Sequence, residues 1–356
     1  MTASVFDHPV LSGLFGDDDL AVHFDFGAEL DAMLRFEAAL ATAEARHGII
    51  PGDAAEAIRA CCMSFAPDMH ALTRGISRDG VIVPELVRQL RAEIGQPHAA
   101  HLHVGATSQD VIDSALAMRL GTCLAVLAER LARVLDLLEK KITMAGRRSL
   151  TGRTRMRRAL PITYGDRFRT WAAPLHHAAQ DLDRVRQRVV RLQFGGPVGT
   201  LHTFGDEGPG LAATLGGLLE LPVPGQCWHS DRSAIVDLGN WLSTVTGALG
   251  KMGQDIALMM QDELSELVMD DGAGGGSSAM PGKVNPVGAE ILVTMARFNA
   301  IQAGGLHQAL VHEQERSGAG WSLEWMILPP MVMTTGAALR TALTLLESVQ
   351  LPPPAD

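Results

Sequence analysis

Residues 235–259 read IVDLGNWLSTVTGALGKMGQDIALM, and their apolar members Ile235, Leu238, Leu242, Val245, Leu249, Met252, Ile256 and Met259 recur at alternating steps of three and four. That alternation averages about 3.5 residues, the period at which helices pack side by side at a shallow angle. Val236, Trp241, Ala248, Ala257, Leu258 and Met260 put apolar surface on the other faces. A helix apolar nearly all round belongs at the centre of a bundle or between subunits. Lys251 and Asp255 lie in the most apolar stretch, Leu242 to Met260, which therefore reads as a buried helix rather than a membrane span.

The same spacing recurs in Leu120, Leu124, Leu127, Leu131, Val134 and Leu138, and in Phe168, Trp171, Leu175, Ala178, Leu182, Val185, Val189 and Leu192. It recurs again in Trp325, Leu328, Val332, Thr335, Leu339, Ala342, Leu346 and Val349, where Pro329 and Pro330 should kink or interrupt the helix. With rods expected from about Asp113 to Ala145 and from Pro286 to His312, five long helices make an all-α bundle. Earlier residues carry shorter patterns, Leu30 to Ala45 and Pro84 to Ile94, separated by Gly, Pro and Asp. The expected organisation is an N-terminal helical domain over 1–105, a central bundle over 106–349 and a Pro-rich disordered tail over 350–356. Aromatic residues are only 4%, so Leu, Ala, Val and Met must fill the core, which favours helices over sheets.

Thirty basic against forty acidic residues give a net charge of −10, which argues against nucleic acid or anionic membranes as partners. Cys61, Cys62, Cys123 and Cys227 form no CxxC pair and no metal-ligand spacing, so they read as reduced thiols of a cytoplasmic protein. Met1 to Val10 lacks the charged-then-apolar order of a signal peptide.

Three polar, glycine-marked stretches interrupt the rods, each with a bland reading beside a functional one. In GAGGGSSAMPGKVNP, residues 272–286, the glycine run suits a lid, and Ser277, Ser278, Lys283 and Asn285 gather two hydroxyls, an ammonium and an amide. Asn285 before Pro286 looks like an N-cap with proline at the first helical position, where an anion is favoured. A flexible linker with a helix cap explains the same letters. In HLHVGATSQD, residues 101–110, Thr107 and Asp110 have the form of a capping box, while the hydroxyls and the Gln109 amide could cradle a carboxylate near His103. In GRTRMRRALPIT, residues 152–163, Arg153, Arg155, Arg157 and Arg158 suit carboxylate, phosphate or sulfonate, or simply a solvated loop.

In this order the three stretches resemble the signature regions of the fumarase/aspartase superfamily. GSSAMPGKVNP from Gly276 resembles its signature loop, GATSQD from Gly105 the first region and GRT from Gly152 the start of the second. Within the superfamily the chain resembles the bacterial 3-carboxy-cis,cis-muconate cycloisomerases. The likeness is carried by FEAALATAEARHGI from Phe36, LQFGGPVGTL from Leu192, WHSDR from Trp228, LGKMGQDIALMMQ from Leu249 and HEQERSGAGWSLEW from His312. Two departures stand out. The superfamily has a further small C-terminal helical domain, whereas this sequence stops just after its last rod. The second-region histidine is replaced by Arg155 and Arg158.

The resemblance implies a cytoplasmic homotetramer whose sites are shared between subunits, and a cycloisomerase that closes a carboxymuconolactone in protocatechuate catabolism. It implies Ser277 as proton carrier, Lys283 and Asn285 as donors to an enolate-like intermediate, and Thr107, Ser108 and Gln109 as holders of one carboxylate. Arg155, Arg232 and Arg316 are the expected partners of other carboxylates, and His103, Thr154, Gln193, Ser278 and Met280 complete the expected substrate contacts. Neither a metal nor an organic cofactor is expected. A 3-sulfomuconate cycloisomerase, an adenylosuccinate- or argininosuccinate-type lyase and a catalytically silent relative remain the alternatives.

Overall fold

The computed structural model describes residues 4–269, 275–276, 279–280 and 283–353. Two single turns, α1 (Ser12–Phe15) and α2 (Asp18–Ala21), precede α3 (Phe26–Arg46), α4 (Gly52–Ser64), α5 (Met69–Asp79) and α6 (Val83–Ile94). The rods follow as α7 (Ser108–Ala145), α8 (Tyr164–Val189), then a shorter α9 (Gly208–Leu219), α10 (Ser233–Met259), α11 (Val287–Gln308) and α12 (Ala319–Ser348). The architecture is the all-α bundle that the apolar spacing predicts.

Caps mark the helix starts as the sequence dictates. Asp25 accepts the Ala28 N–H at 2.7 Å to begin α3, and Asp68 accepts that of Ala71 at 3.0 Å to begin α5. Thr163 and Asp166 form a reciprocal capping box at the head of α8.

Three contacts fix the direction of the rods. Trp321 Nε1 donates to Asp113 at 3.0 Å, Arg130 donates to the Gly336 carbonyl at 3.3 Å, and Lys141 Nζ donates to the Val349 carbonyl at 2.6 Å. Helix α12 therefore runs parallel to α7. Helix α8 runs back along them, since Arg188 meets Ser233 at the start of α10 while Trp171 Nε1 donates to Asp255 near its end. The apolar α10 packs against α8, α11 and α12 at the centre of the bundle. Its Leu238, Leu242, Val245, Leu249, Met252 and Ile256 are all fully or almost fully buried. Each such side chain stabilises the fold by about 1.5 to 3 kcal/mol relative to exposure.

A second apolar cluster joins α3, α4, α6 and α9 to the first turns of α7, centred on Met33, Phe36, Ile58, Leu86, Leu90, Leu211 and Leu215. One 18-residue window of α7 is apolar enough to cross a membrane by composition, but 61% of it is buried inside the chain itself.

Two expectations are corrected. The stretch taken as an arginine-rich loop is a hairpin, β1 (Ser149–Thr154) paired antiparallel with β2 (Arg157–Thr163). Its turn is made by Arg155 and Met156 at φ 49° and 65°, the left-handed pair of a two-residue connection. Nor do Pro329 and Pro330 interrupt α12, which continues through both. The carbonyls four residues earlier lose their donors, yet Leu328, Met331 and Val332, all at most 1% exposed, anchor the segment in the core. Past α12, β4 (Val349–Gln350) pairs with β3 (Val268–Met269).

Two rods approach closely at the α10–α11 seam. A Cβ at Gly253 would lie 2.5 Å from the Ala289 carbonyl oxygen, and one at Gly250 would lie 2.5 Å from the Ala296 Cβ. Gly253→Ala must push these helices apart, so chemical denaturation should show a loss of about 1 to 3 kcal/mol. An unchanged unfolding midpoint would contradict the packing described.

Candidate active site

Thr107 opens α7 with extended backbone, and its N–H donates to Asp110 Oδ2 at 3.0 Å in the reciprocal box the sequence predicts. Asp110 does far more than cap. Its carboxylate also accepts the N–H groups of Gly195 and Gly196, each at 2.9 Å, and meets His229 Nε2 at 2.8 Å. One buried carboxylate thus ties the α7 entrance to two remote loops. Burial opposes a charge on His229, but the Asp110 hydrogen bond and charge, with a smaller contribution from Cys227, outweigh it and push the imidazole up to about 9. Gly105, at φ +64° and with its Cα against the Phe204 ring, leaves no room for a side chain just before this entrance.

The same end of the bundle holds seven of the expected site residues. Ser108 is the first helical residue of α7, and the Arg316 guanidinium donates to the Thr107 hydroxyl. His103 sits at φ 61° with Nδ1 2.6 Å from Glu37 Oε1. Its burial disfavours the charged ring, but the charge and hydrogen bond of Glu37 prevail and raise its pKa.

Three residues expected to hold substrate are instead occupied within the protein. The Gln109 amide nitrogen donates to Asp113 at 3.1 Å and to the His229 carbonyl at 2.9 Å. Gln193 is fully buried between Cys227 Sγ and the Trp228 N–H. Arg232 has no exposed side-chain surface and donates to Asp113 at 2.7 and 3.2 Å and to Glu324 at 2.8 and 2.5 Å. Its guanidinium also stacks 4.8 Å from the Trp228 ring centroid. Arg232, expected from the sequence to meet a substrate carboxylate, here meets two carboxylates of the protein, away from any open surface.

Five further expected residues, Thr154, Arg155, Met280, Lys283 and Asn285, lie at the opposite end. Thr154 and Arg155 are exposed at the hairpin tip, while Arg153 is held by Glu266 at 2.6 and 2.8 Å. Lys283 and Met280 are exposed. Asn285 pairs backbone to backbone with Gly275, at 2.8 and 3.0 Å. It is not the N-cap of α11, a position taken by Pro286 with no side-chain cap. Ser277 and Ser278 lie outside the described residues. Between the two ends stand the 38 residues of α7, a rod of roughly 57 Å.

Asp113, Glu324, His229 and Glu37 were not singled out from the sequence. His229 and Glu324 do stand in quoted segments, but their partners lie 119 and 92 residues away, beyond any spacing rule.

A family model described as lyase matches residues 15–301. The 3-carboxy-cis,cis-muconate cycloisomerase of Pseudomonas aeruginosa is 38% identical over 335 residues, covering 93% of this chain and 73% of that relative. Among solved structures, the 3-carboxy-cis,cis-muconate lactonizing enzyme of Pseudomonas putida matches with TM-score 0.90 and 34% identity, over 97% of this chain and 78% of that one. The β-carboxy-cis,cis-muconate cycloisomerase of Acinetobacter calcoaceticus matches with TM-score 0.88 and 29% identity, over 96% and 78%.

Because the folded-state pKa of His229 lies above its ordinary 6.5, its ion pair with Asp110 stabilises the protein fully below pH 6.5 and is lost as pH rises through about 9. Urea unfolding should therefore show wild type about 3 kcal/mol more stable than His229→Asn at pH 6, with the gap closing by pH ~10. A gap that widened with pH would reverse the assignment.

Proposed function

The chain belongs to the lyase family, within the fumarase/aspartase superfamily, and on that premise we propose that it is a cycloisomerase converting 3-carboxy-cis,cis-muconate to a carboxymuconolactone. The observation that carries this reading is the likeness, over nearly the whole chain, to solved lactonizing enzymes. The signature loop from Gly276 to Pro286 agrees with it.

In the forward reaction one carboxylate attacks the far end of a conjugated double bond and forms the C–O bond of the lactone. The π electrons move toward the carbon beside another carboxylate, which becomes enolate-like and then takes up a proton. Fixed donors aimed at that developing charge supply most of the acceleration. In this reading Lys283 and Asn285 are those donors and Ser277 delivers the proton. A serine is a poor acid or base at its free pKa, so it needs the ammonium of Lys283 close by. Thr107, Ser108, Arg316 and the amide end of α7 hold a substrate carboxylate, with His103 beside them. Thr154, Arg155, Ser278 and Met280 complete the pocket. Gln109, Gln193 and Arg232 act behind it, as the frame.

Those of the assigned groups that lie among the described residues occupy both ends of one long bundle. A single small molecule can meet them together only where different chains bring opposite ends into contact. This supports the homotetramer with shared sites. We keep the division near residue 105 into an N-terminal helical domain and a central bundle, with the second apolar cluster reaching across it to α9 and the first turns of α7. A cytoplasmic location is in keeping with four cysteines that are all free.

One observation favours a second reading. Arg155, Arg157 and Arg158 are exposed and have no carboxylate partner among the described residues, which suits a sulfonate in place of the 3-carboxylate.

The test is turnover of a panel of 3-substituted muconates, followed by loss of diene absorbance and identification of the product by NMR. Lactone from the 3-carboxy compound is expected, and Lys283→Met should lower kcat by about 100- to 1,000-fold. Release of fumarate from a succinyl adduct, with no lactone formed from any muconate, would sink the proposal. Light scattering should give about four chain masses.

A further inference from the structure

Helix α3 buries two carboxyl groups where the proposed mechanism uses neither. Glu37 is 1% exposed and Glu44 is fully buried. Among the described residues Glu44 has no hydrogen-bond partner on either oxygen, and burial, reinforced by the negative charge of Glu37, pushes it up to about 9. It is therefore neutral at pH 7. Two such residues in a helix interior cost stability unless something uses them. Glu37 is used: its Oε1 lies 2.6 Å from Nδ1 of His103, at the near edge of the α7 entrance.

His103 is shaped by this contact. It adopts φ 61°, a conformation uncommon for a side chain of this size, four residues before Thr107. The preceding Leu102 is held by Arg91, which donates to its carbonyl at 2.8 Å. With Nδ1 taken by Glu37, Nε2 is the ring nitrogen left to meet a ligand. The ionisable groups around the pair are Glu44 on its own helix, Cys62 on α4, Arg91 on α6 and Asp110 on α7. Glu44 is neutral, and the Cys62 thiol, pushed up to about 12 chiefly by burial, is neutral too. Arg91 opposes a charge on the ring and Asp110 supports it.

We propose that Glu37 is a positioning residue for the reaction: its buried carboxylate, 2.6 Å from Nδ1, orients the His103 ring and pairs with it, so that Nε2–H is presented to a carboxylate of the substrate. This rests on the reading that substrate binds at the Thr107 end of the bundle. It adds a buried acid that touches no substrate yet sets the charge of a residue that does.

The experiment compares full-length wild type, E37Q, E37D and H103A between pH 5.5 and 8.5, using 3-carboxy-cis,cis-muconate. In E37Q the imidazolium loses its counter-charge while the burial remains, so the ring should become neutral at lower pH than in wild type. At pH ~8 its KM should rise about tenfold or more, the value of one charge-assisted hydrogen bond, with kcat changed less than about threefold. Near pH 5.5 the gap should close as the ring regains its proton, and E37D should recover part of the loss. A merely structural Glu37 would lower the unfolding midpoint equally at every pH and leave the pH profile of KM unmoved. That result, with H103A still raising KM, overturns the proposal but spares the site. An unchanged KM in H103A overturns both. Independently of any substrate, the histidine NMR signal missing from H103A should titrate at lower pH in E37Q. Titration at the wild-type pH overturns the proposal.

Discussion

A single guanidinium, fully withdrawn from water, holds the Thr107 end of this bundle together. Arg232 joins Asp113 of α7 to Glu324 of α12 from its place at the head of α10. Taking three charges out of water costs several kcal/mol per ion, and their attraction repays this only when the geometry is complete. Here it is: Trp321 and Gln109 donate to the Asp113 carboxylate, and Trp228 covers the guanidinium face. Removing one partner would leave a bare buried charge, at a cost of about 3 to 5 kcal/mol. The network ties the register of α7 and α12 to the head of α10, since its three members stand on these three elements.

That register is what the entrance to α7 inherits. Gln109 spans Asp113 and the His229 carbonyl, and His229 returns to Asp110, so the ion network and the Asp110 cluster share a frame. His312, buried 3.8 Å from Glu324, is pushed below its ordinary pKa by burial first and by the positive charge of Arg232 second. It therefore adds no further cation. The Thr107 hydroxyl and the Arg316 guanidinium are presented from a base that is itself immobilised, the condition under which donors act without reorganising.

The rods were legible because a core helix writes its contacts locally, at steps of three and four. The entrance was legible for the same reason, since Thr107 and Asp110 are three residues apart. What was not legible is instructive. The strand Arg157–Thr163 has side chains mostly in water on both faces, so it shows no alternation to read. Its turn lacks the Gly or Asn that would announce it. Pro329 and Pro330 are breakers by local rule, but tertiary burial overrides the rule. Arg232 looked available because it is charged and stands beside recognised letters. Only the fold reveals Asp113 and Glu324 waiting for it, 119 and 92 residues away in sequence.

The length of α7 has a thermodynamic consequence for the cell. A rod that keeps its two polar ends so far apart makes an isolated chain a pair of half-sites, so under the shared-site reading catalytic capacity scales with assembly rather than with the amount of folded protein. Mass action then couples specific activity to concentration, and a substrate gripped by two chains at once acts as their adhesive. Dilution would work as an inhibitor, and substrate would oppose it.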